Sequence, residues 1–223
     1  MATAQLPKVK GVHHTAFRCR DAEETRHFYE DILGLKFAGG LSFESSPSGK
    51  GAFMHLFFEM SDNNYIAFFD LPDTVDEKSY YPKDGMEEYH IAMELGSMEE
   101  LQTMKQHLVD NNVPVYGPID HDFCHSVYFY DPNGLNLEFT IRDKSHDEYM
   151  EHEQREIPRI LGDWRKRMDP VRAERLKGTE DLRAKYAAKV KATADRINGN
   201  MEKLRAAGLK DKDDTRHGKA AAE

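Results

Sequence analysis

The sequence predicts an α+β fold: two paired βαβββ modules forming a curved mixed sheet around a central groove, followed by a helical C-terminal extension. Three observations lead there. The first is an internal repeat. His14-Thr15-Ala16-Phe17 and His90-Ile91-Ala92-Met93 both read His-x-Ala-apolar, and a helix cap follows seven residues after each histidine, at Asp21 and Ser97. The second is a hairpin pattern over residues 125–139, where two runs of alternating side chains flank Asp131-Pro132-Asn133-Gly134. The third is a change of composition near residue 145, after which charge dominates.

A short arm, 1–9, precedes the first module, 10–70. Residues 11–19 read as a strand. Asp21 then caps a helix, Glu24 completes a capping box, and Thr25, Phe28, Tyr29 and Ile32 form an apolar stripe that Gly34 ends. Strands are expected at about 36–44, 52–60 and 65–70, separated by turn-rich runs at 45–51 and 61–64. A polar linker, 71–86, leads into the second module, 87–144. There a strand at 88–95 precedes a helix capped by Ser97 and Glu100 and striped by Leu101, Met104 and Leu108, and strands follow at about 113–116, 125–130 and 135–141. Neither module covers its own sheet edge, so side-by-side pairing is expected. The extension, 145–207, opens with an amphipathic segment from Met150 to Trp164, expected to dock on the domain or across a dimer interface. It continues as one charged helix over 171–207, and 208–223 is expected to be disordered.

The net charge of −9 argues against a nucleic-acid partner and against a polybasic membrane anchor. The N-terminal residues lack the apolar core of a signal peptide, and no run approaches spanning length. With two cysteines, Cys19 and Cys124, both in expected strands, the chain reads as a cytoplasmic protein with buried thiols.

Period-two alternation locates a candidate site. It puts Leu135, Leu137, Phe139 and Ile141 on one face of the last strand and Asn136, Glu138 and Thr140 on the other, so a carboxylate sits at mid-strand among uncharged polar groups. His90 takes the corresponding phase on its strand. His14 takes it in the first module, which leaves His13 pointing toward the helix. Two imidazoles and a carboxylate are costly to bury together unless something compensates them, and a divalent metal would. The competing reading is a degenerate site in a metal-free binding protein.

These residues give the chain its resemblance to the vicinal oxygen chelate superfamily: glyoxalase I, bleomycin-resistance proteins, fosfomycin-resistance enzymes and type I extradiol dioxygenases. The resemblance covers roughly 10–142. It rests on His14 with Asp21, the Phe28-Tyr29…Leu33-Gly34-Leu35 helix end, His90-Ile91-Ala92, and Tyr128…Asp131-Pro132-Asn133-Gly134…Glu138. It implies a metal held by His14, His90 and Glu138, a two-histidine, one-carboxylate set suited to non-haem Fe(II), with Mn, Ni or Zn as alternatives. The fourth ligand of glyoxalase I, a Glu, would fall at Phe68 here, which favours a three-ligand site. The run Ser126-Val127-Tyr128 resembles a segment of extradiol enzymes, and Asp120-His121 resembles one carrying another active-site histidine.

The resemblance therefore implies a ring-cleaving dioxygenase acting with O2 on a catecholic aromatic, in a homodimer or higher homo-oligomer. Tyr128 is expected to hydrogen-bond the substrate, against a reading of plain sheet packing. His121 reads equally as an acid–base group or a surface histidine, and His55 equally as a groove residue or a structural one. Residues 56–89 contain no histidine, although extradiol enzymes commonly carry an acid–base histidine there. His55, His121, Tyr65, Tyr80, Tyr81 or Tyr89 would have to serve. The alternatives are a metal-dependent isomerase, lyase or thiol transferase, and a metal-free protein of the bleomycin-resistance kind.

Overall fold

The computed structural model describes residues 7, 9–44, 51–61, 63–71, 80 and 89–206. Both modules lie in one compact unit that runs to residue 152, and the helical residues beyond it belong to a second. The linker is described only at Leu71 and Tyr80 and from Tyr89 on, and the expectation for 208–223 falls outside the described residues.

The first module is β1 (His14–Cys19), α1 (Ala22–Arg26), β2 (Lys36–Phe43), β3 (Phe53–Glu59) and β4 (Tyr65–Asp70). The second is β5 (Ile91–Glu94), α2 (Met98–Asp110), β6 (Val115–Asp120), β7 (Cys124–Tyr130) and β8 (Asn136–Arg142). The caps form as the sequence predicts. Asp21 Oδ1 accepts from the Glu24 amide at 2.7 Å and Ser97 Oγ from that of Glu100 at 3.2 Å, satisfying donors a helix start leaves open. Helix α1 widens into a π-helical stretch, His27–Ile32, and buries Thr25, Phe28 and Tyr29.

Each module folds into one four-stranded mixed sheet, ordered β1-β4-β3-β2 and β5-β8-β7-β6, with the first and last strands of each module parallel and the rest antiparallel. Alternation gives each sheet an apolar face and a second face of different character. The apolar faces and both helices share one core, in which Phe28, Tyr29, Phe58 and Phe68 of the first module meet Leu101, Val127, Phe129 and Leu137 of the second.

The β7–β8 turn ties the modules together. Tyr29 Oη donates to Asp131 Oδ2 at 3.0 Å, Asn133 Nδ2 donates to Thr25 Oγ1 at 3.2 Å, and the Arg20 amide donates to Asn133 Oδ1 at 2.8 Å. On the helix side, His107 Nε2 donates to the Ile32 carbonyl at 2.9 Å.

Beyond the modules lie α3 (His146–Leu176) and α4 (Glu180–Ala206). This corrects the expected single helix over 171–207. Gly178, at φ +75°, takes the left-handed conformation that ends a helix, and Thr179 Oγ1 donates to the Leu176 carbonyl at 2.8 Å. Among the described residues, no helix is long and apolar enough to cross a membrane.

Candidate metal centre

Strands β5, β7 and β8 carry the centre on the face of the second sheet turned away from the core. The register pairs Ala92 with Glu138 and Tyr128 with Glu138, so the carboxylate sits centrally between its neighbours. Glu138 is 5% exposed, and its Oε2 lies 2.9 Å from Nε2 of His90, the residue just before β5. The Tyr128 hydroxyl lies 2.9 Å from His121 Nε2, and its ring stacks on Tyr116 with centroids 5.2 Å apart. Burial, and then the nearby Glu138 charge, push the Tyr128 phenol up to about 12, so it holds its proton at neutral pH. Ser126 Oγ donates to Thr140 Oγ1 at 2.9 Å, completing a polar floor.

Asn136, two residues before Glu138 on the same face, is 3% exposed, and neither its Oδ1 nor its Nδ2 has a hydrogen-bond partner. A buried amide without partners is costly, so this face is shaped for a polar occupant that the strands themselves do not supply. The alternation that singles out Glu138 also places Asn136 beside it. Its lack of a partner, however, is not visible in the sequence.

His14 stands elsewhere. Its Nδ1 lies 2.9 Å from Nδ1 of His13, and its ring neighbours include His55 and Phe57, with centroids 6.3 and 5.8 Å away. Among the described residues no three His, Cys, Asp or Glu side chains of one chain are placed to hold a metal ion. The expected convergence of His14 with His90 and Glu138 is thus not met within a single chain. The reason is topological: β1 belongs to the first sheet and β8 to the second, and the modules share their apolar faces rather than their polar ones. The donor set still fits a divalent cation, since His90 and Glu138 are adjacent and of the right kind, but among the described residues one chain sets no third His, Cys, Asp or Glu ligand beside them.

The remaining expected residues are distributed between the modules. His121 does join Tyr128. His55 lies on β3, where its Nδ1 donates to the Phe68 carbonyl at 2.9 Å and its ring stacks on Phe69 with centroids 3.8 Å apart. Burial lowers its pKa, so it is a neutral ring packed beside His14, away from Tyr128. His13 precedes β1 and approaches Tyr65 instead of the helix. The Tyr80 hydroxyl donates to the Cys19 carbonyl at 2.8 Å and has a structural partner.

The place of a fourth ligand also needs correcting. With His14 set on His90, the β1–β4 and β5–β8 registers align Ala16 with Ala92, and hence Ala67 with Glu138. Phe68 points the other way, fully buried against Tyr29. The residue equivalent to Glu138 is therefore an alanine, and the first module contributes no carboxylate there. Its corresponding face is aromatic: Phe53, Phe69, His55 and Phe57 form a run of ring contacts with centroid separations of 5.9, 3.8 and 4.1 Å.

Paired βαβββ modules, with a histidine at or just before the first strand of each and a glutamate on the last strand of the second, define a recognisable class. A family model for the Glyoxalase/Bleomycin resistance protein/Dioxygenase superfamily matches residues 11–139, and the chain belongs to that superfamily. Lactoylglutathione lyases of Neisseria meningitidis serogroups A and B are each 28% identical over 135 residues, covering 60% of this chain and 92% of theirs. Among solved structures, a glyoxalase/dioxygenase from Nostoc punctiforme is 24% identical, with a TM-score of 0.46, covering 63% of this chain and all of that one. The fosfomycin resistance protein FosX from Listeria monocytogenes is 18% identical, with a TM-score of 0.46, covering 62% and 98%.

Proposed function

We propose that this chain is a metal-dependent enzyme whose centre uses His90 and Glu138 of one copy and His14 of a second. Within that, the reading we favour is an Fe(II) ring-cleaving dioxygenase acting on a catecholic aromatic. The carrying observation is the contact of His90, itself open to solvent, with the buried Glu138 at 2.9 Å, with an alanine where a further carboxylate would stand. The aromatic face around His14 supports a planar substrate, because ring faces stack well on Phe and His side chains.

A bound Fe(II) would supply a Lewis acid for the substrate's oxygens and a redox partner for O2. The chain's own residues do the rest. Glu138 and His90 fix the position of the cation. Tyr128, protonated at neutral pH, offers a hydrogen bond to a developing negative charge on substrate oxygen. His121, hydrogen-bonded to Tyr128, can give or take a proton at the hydroxyl. Asn136 offers an unused donor and acceptor to a polar substituent.

The test is anaerobic loading with Fe(II), then exposure to O2 and a panel of catechols. Coupled O2 uptake and the visible absorbance of a ring-fission product are expected. Metal retention with no product across the panel would remove ring cleavage. It would leave the second reading, isomerase, lyase or thiol-transfer chemistry on Ni, Zn or Mn, which the similarity to lactoylglutathione lyases favours. The assay for that reading is turnover of the methylglyoxal–glutathione adduct with each metal.

A further inference from the structure

Helix α3 is 31 residues long and buries none of them. Yet Ile157, Leu161, Trp164, Met168 and Val171 are spaced four, three, four and three apart, the interval that lines one side of a helix meant for a partner. Ile157, Leu161, Trp164 and Val171 are 53, 56, 43 and 59% exposed. An apolar stripe of this length left in water marks an interaction surface.

The charges beside the stripe indicate what covers it. Counting outward from Trp164, Asp163 and Arg165 stand one residue away on either side. Glu156 and Arg172 stand eight away, and Glu153 and Arg175 eleven. At each distance an acid on one side mirrors a base on the other. Ile157 and Val171 likewise stand seven away on either side. Such a pattern is complementary to its own reverse. Two copies laid antiparallel with Trp164 on the two-fold bring every one of these acids opposite a base, whereas a parallel pair sets like against like. An unrelated partner would not require this mirror symmetry. The present partners of these charges are mostly local, such as Arg159 with Glu156 and Arg172 with Asp169, and exposed pairs of that kind exchange at little cost.

We propose that α3 is an association surface for a second copy of this chain, paired antiparallel about Trp164. The test uses Ile157→Cys and Val171→Cys chains, separately and mixed after subunit exchange, under mild oxidation. A cross-linked dimer is expected from the mixture and from neither variant alone, with wild type as the control for Cys19 and Cys124. No cross-link in the mixture, or a cross-link with I157C alone, overturns the proposal. In parallel, the L161E/W164E variant is expected to lose one association step by sedimentation with unchanged far-UV circular dichroism, because both side chains are exposed. If the variant sediments like wild type, or if the stripe instead mediates binding to phosphatidylglycerol vesicles and no cross-link forms, the surface is not a self-contact. This test is independent of the metal centre, since Fe(II) or Co(II) uptake is read on the same samples.

Discussion

Asp131 offers the sharpest test of how the two modules are joined. Its carboxylate is 4% exposed and accepts four hydrogen bonds: Oδ1 from the Leu135 and Asn133 amides at 2.7 and 2.9 Å, Oδ2 from Tyr29 Oη and Asn133 Nδ2 at 3.0 Å each. Asp131→Ala strands these donors in a dry site. Asn133 Nδ2 keeps Thr25 Oγ1 as an acceptor, so three donors lose their partner. At about 1–3 kcal/mol for each unsatisfied buried donor, partly offset because no charge is then buried, the net loss is about 3–5 kcal/mol at neutral pH. Tyr29→Phe removes one of the four bonds and costs about 1 kcal/mol, and D131A with Y29F combined should be clearly less than additive.

The pH dependence has a definite sign. Burial is the largest cause that lifts the Asp131 pKa from 3.8 to about 6, so between these values the folded chain holds a proton the unfolded chain has released. Its contribution is therefore fullest below about pH 4 and falls as pH rises through about 6, by about 3 kcal/mol for a shift of roughly two units. The stability gap between wild type and D131A should narrow over that range. Urea unfolding of metal-free protein, followed by fluorescence at pH 4, 5, 6 and 7.5, measures both effects. A D131A loss under 1 kcal/mol at every pH, or a gap that widens as pH rises, would refute the reasoning.

Other expectations follow from single contacts. His90→Ala and Glu138→Gln should each weaken divalent-metal binding by about 100-fold or more, read by isothermal titration, with stability nearly unchanged. Tyr128→Phe should lower kcat by about 10–100-fold with little change in KM, and because the phenol pKa is held near 12, the wild-type pH profile should show no tyrosine limb below about pH 10. Gly117→Ala would set a Cβ 2.6 Å from the Ser126 carbonyl oxygen at a φ of +103°, which should cost about 2–3 kcal/mol by thermal unfolding, since backbone must move.

Much of the fold is readable locally because its signals are local. The caps at Asp21 and Ser97 and the buried stripes of α1 and α2 depend on residues three or four apart. The faces of β5 and β8 follow from alternation, so His90 and Glu138 emerge as a pair. Errors arise where one residue of register reverses a face. Phe68 and Ala67 are neighbours, yet one lies in the core and the other stands opposite Ala16, and only the β1–β4 ladder decides which matches Glu138. His14 illustrates a longer-range limit: its phase is legible, but which sheet it faces depends on how the modules pack. That packing rests on contacts such as Tyr29 with Asp131, 102 residues apart. The break at Gly178 was hidden because its flanks are equally helical in pattern.

Subunit mixing tests the central claim most directly. Neither H14A nor E138Q alone should bind Fe(II) or Co(II) tightly, because each lacks a ligand at every site. Mixed and allowed to exchange, they should recover roughly a quarter of the wild-type sites, since half the pairs are mixed and each holds one intact centre. Recovery of metal in the mixture is the result this account predicts. A mixture that binds no more than its components, or an H14A protein that binds as wild type does, would contradict it.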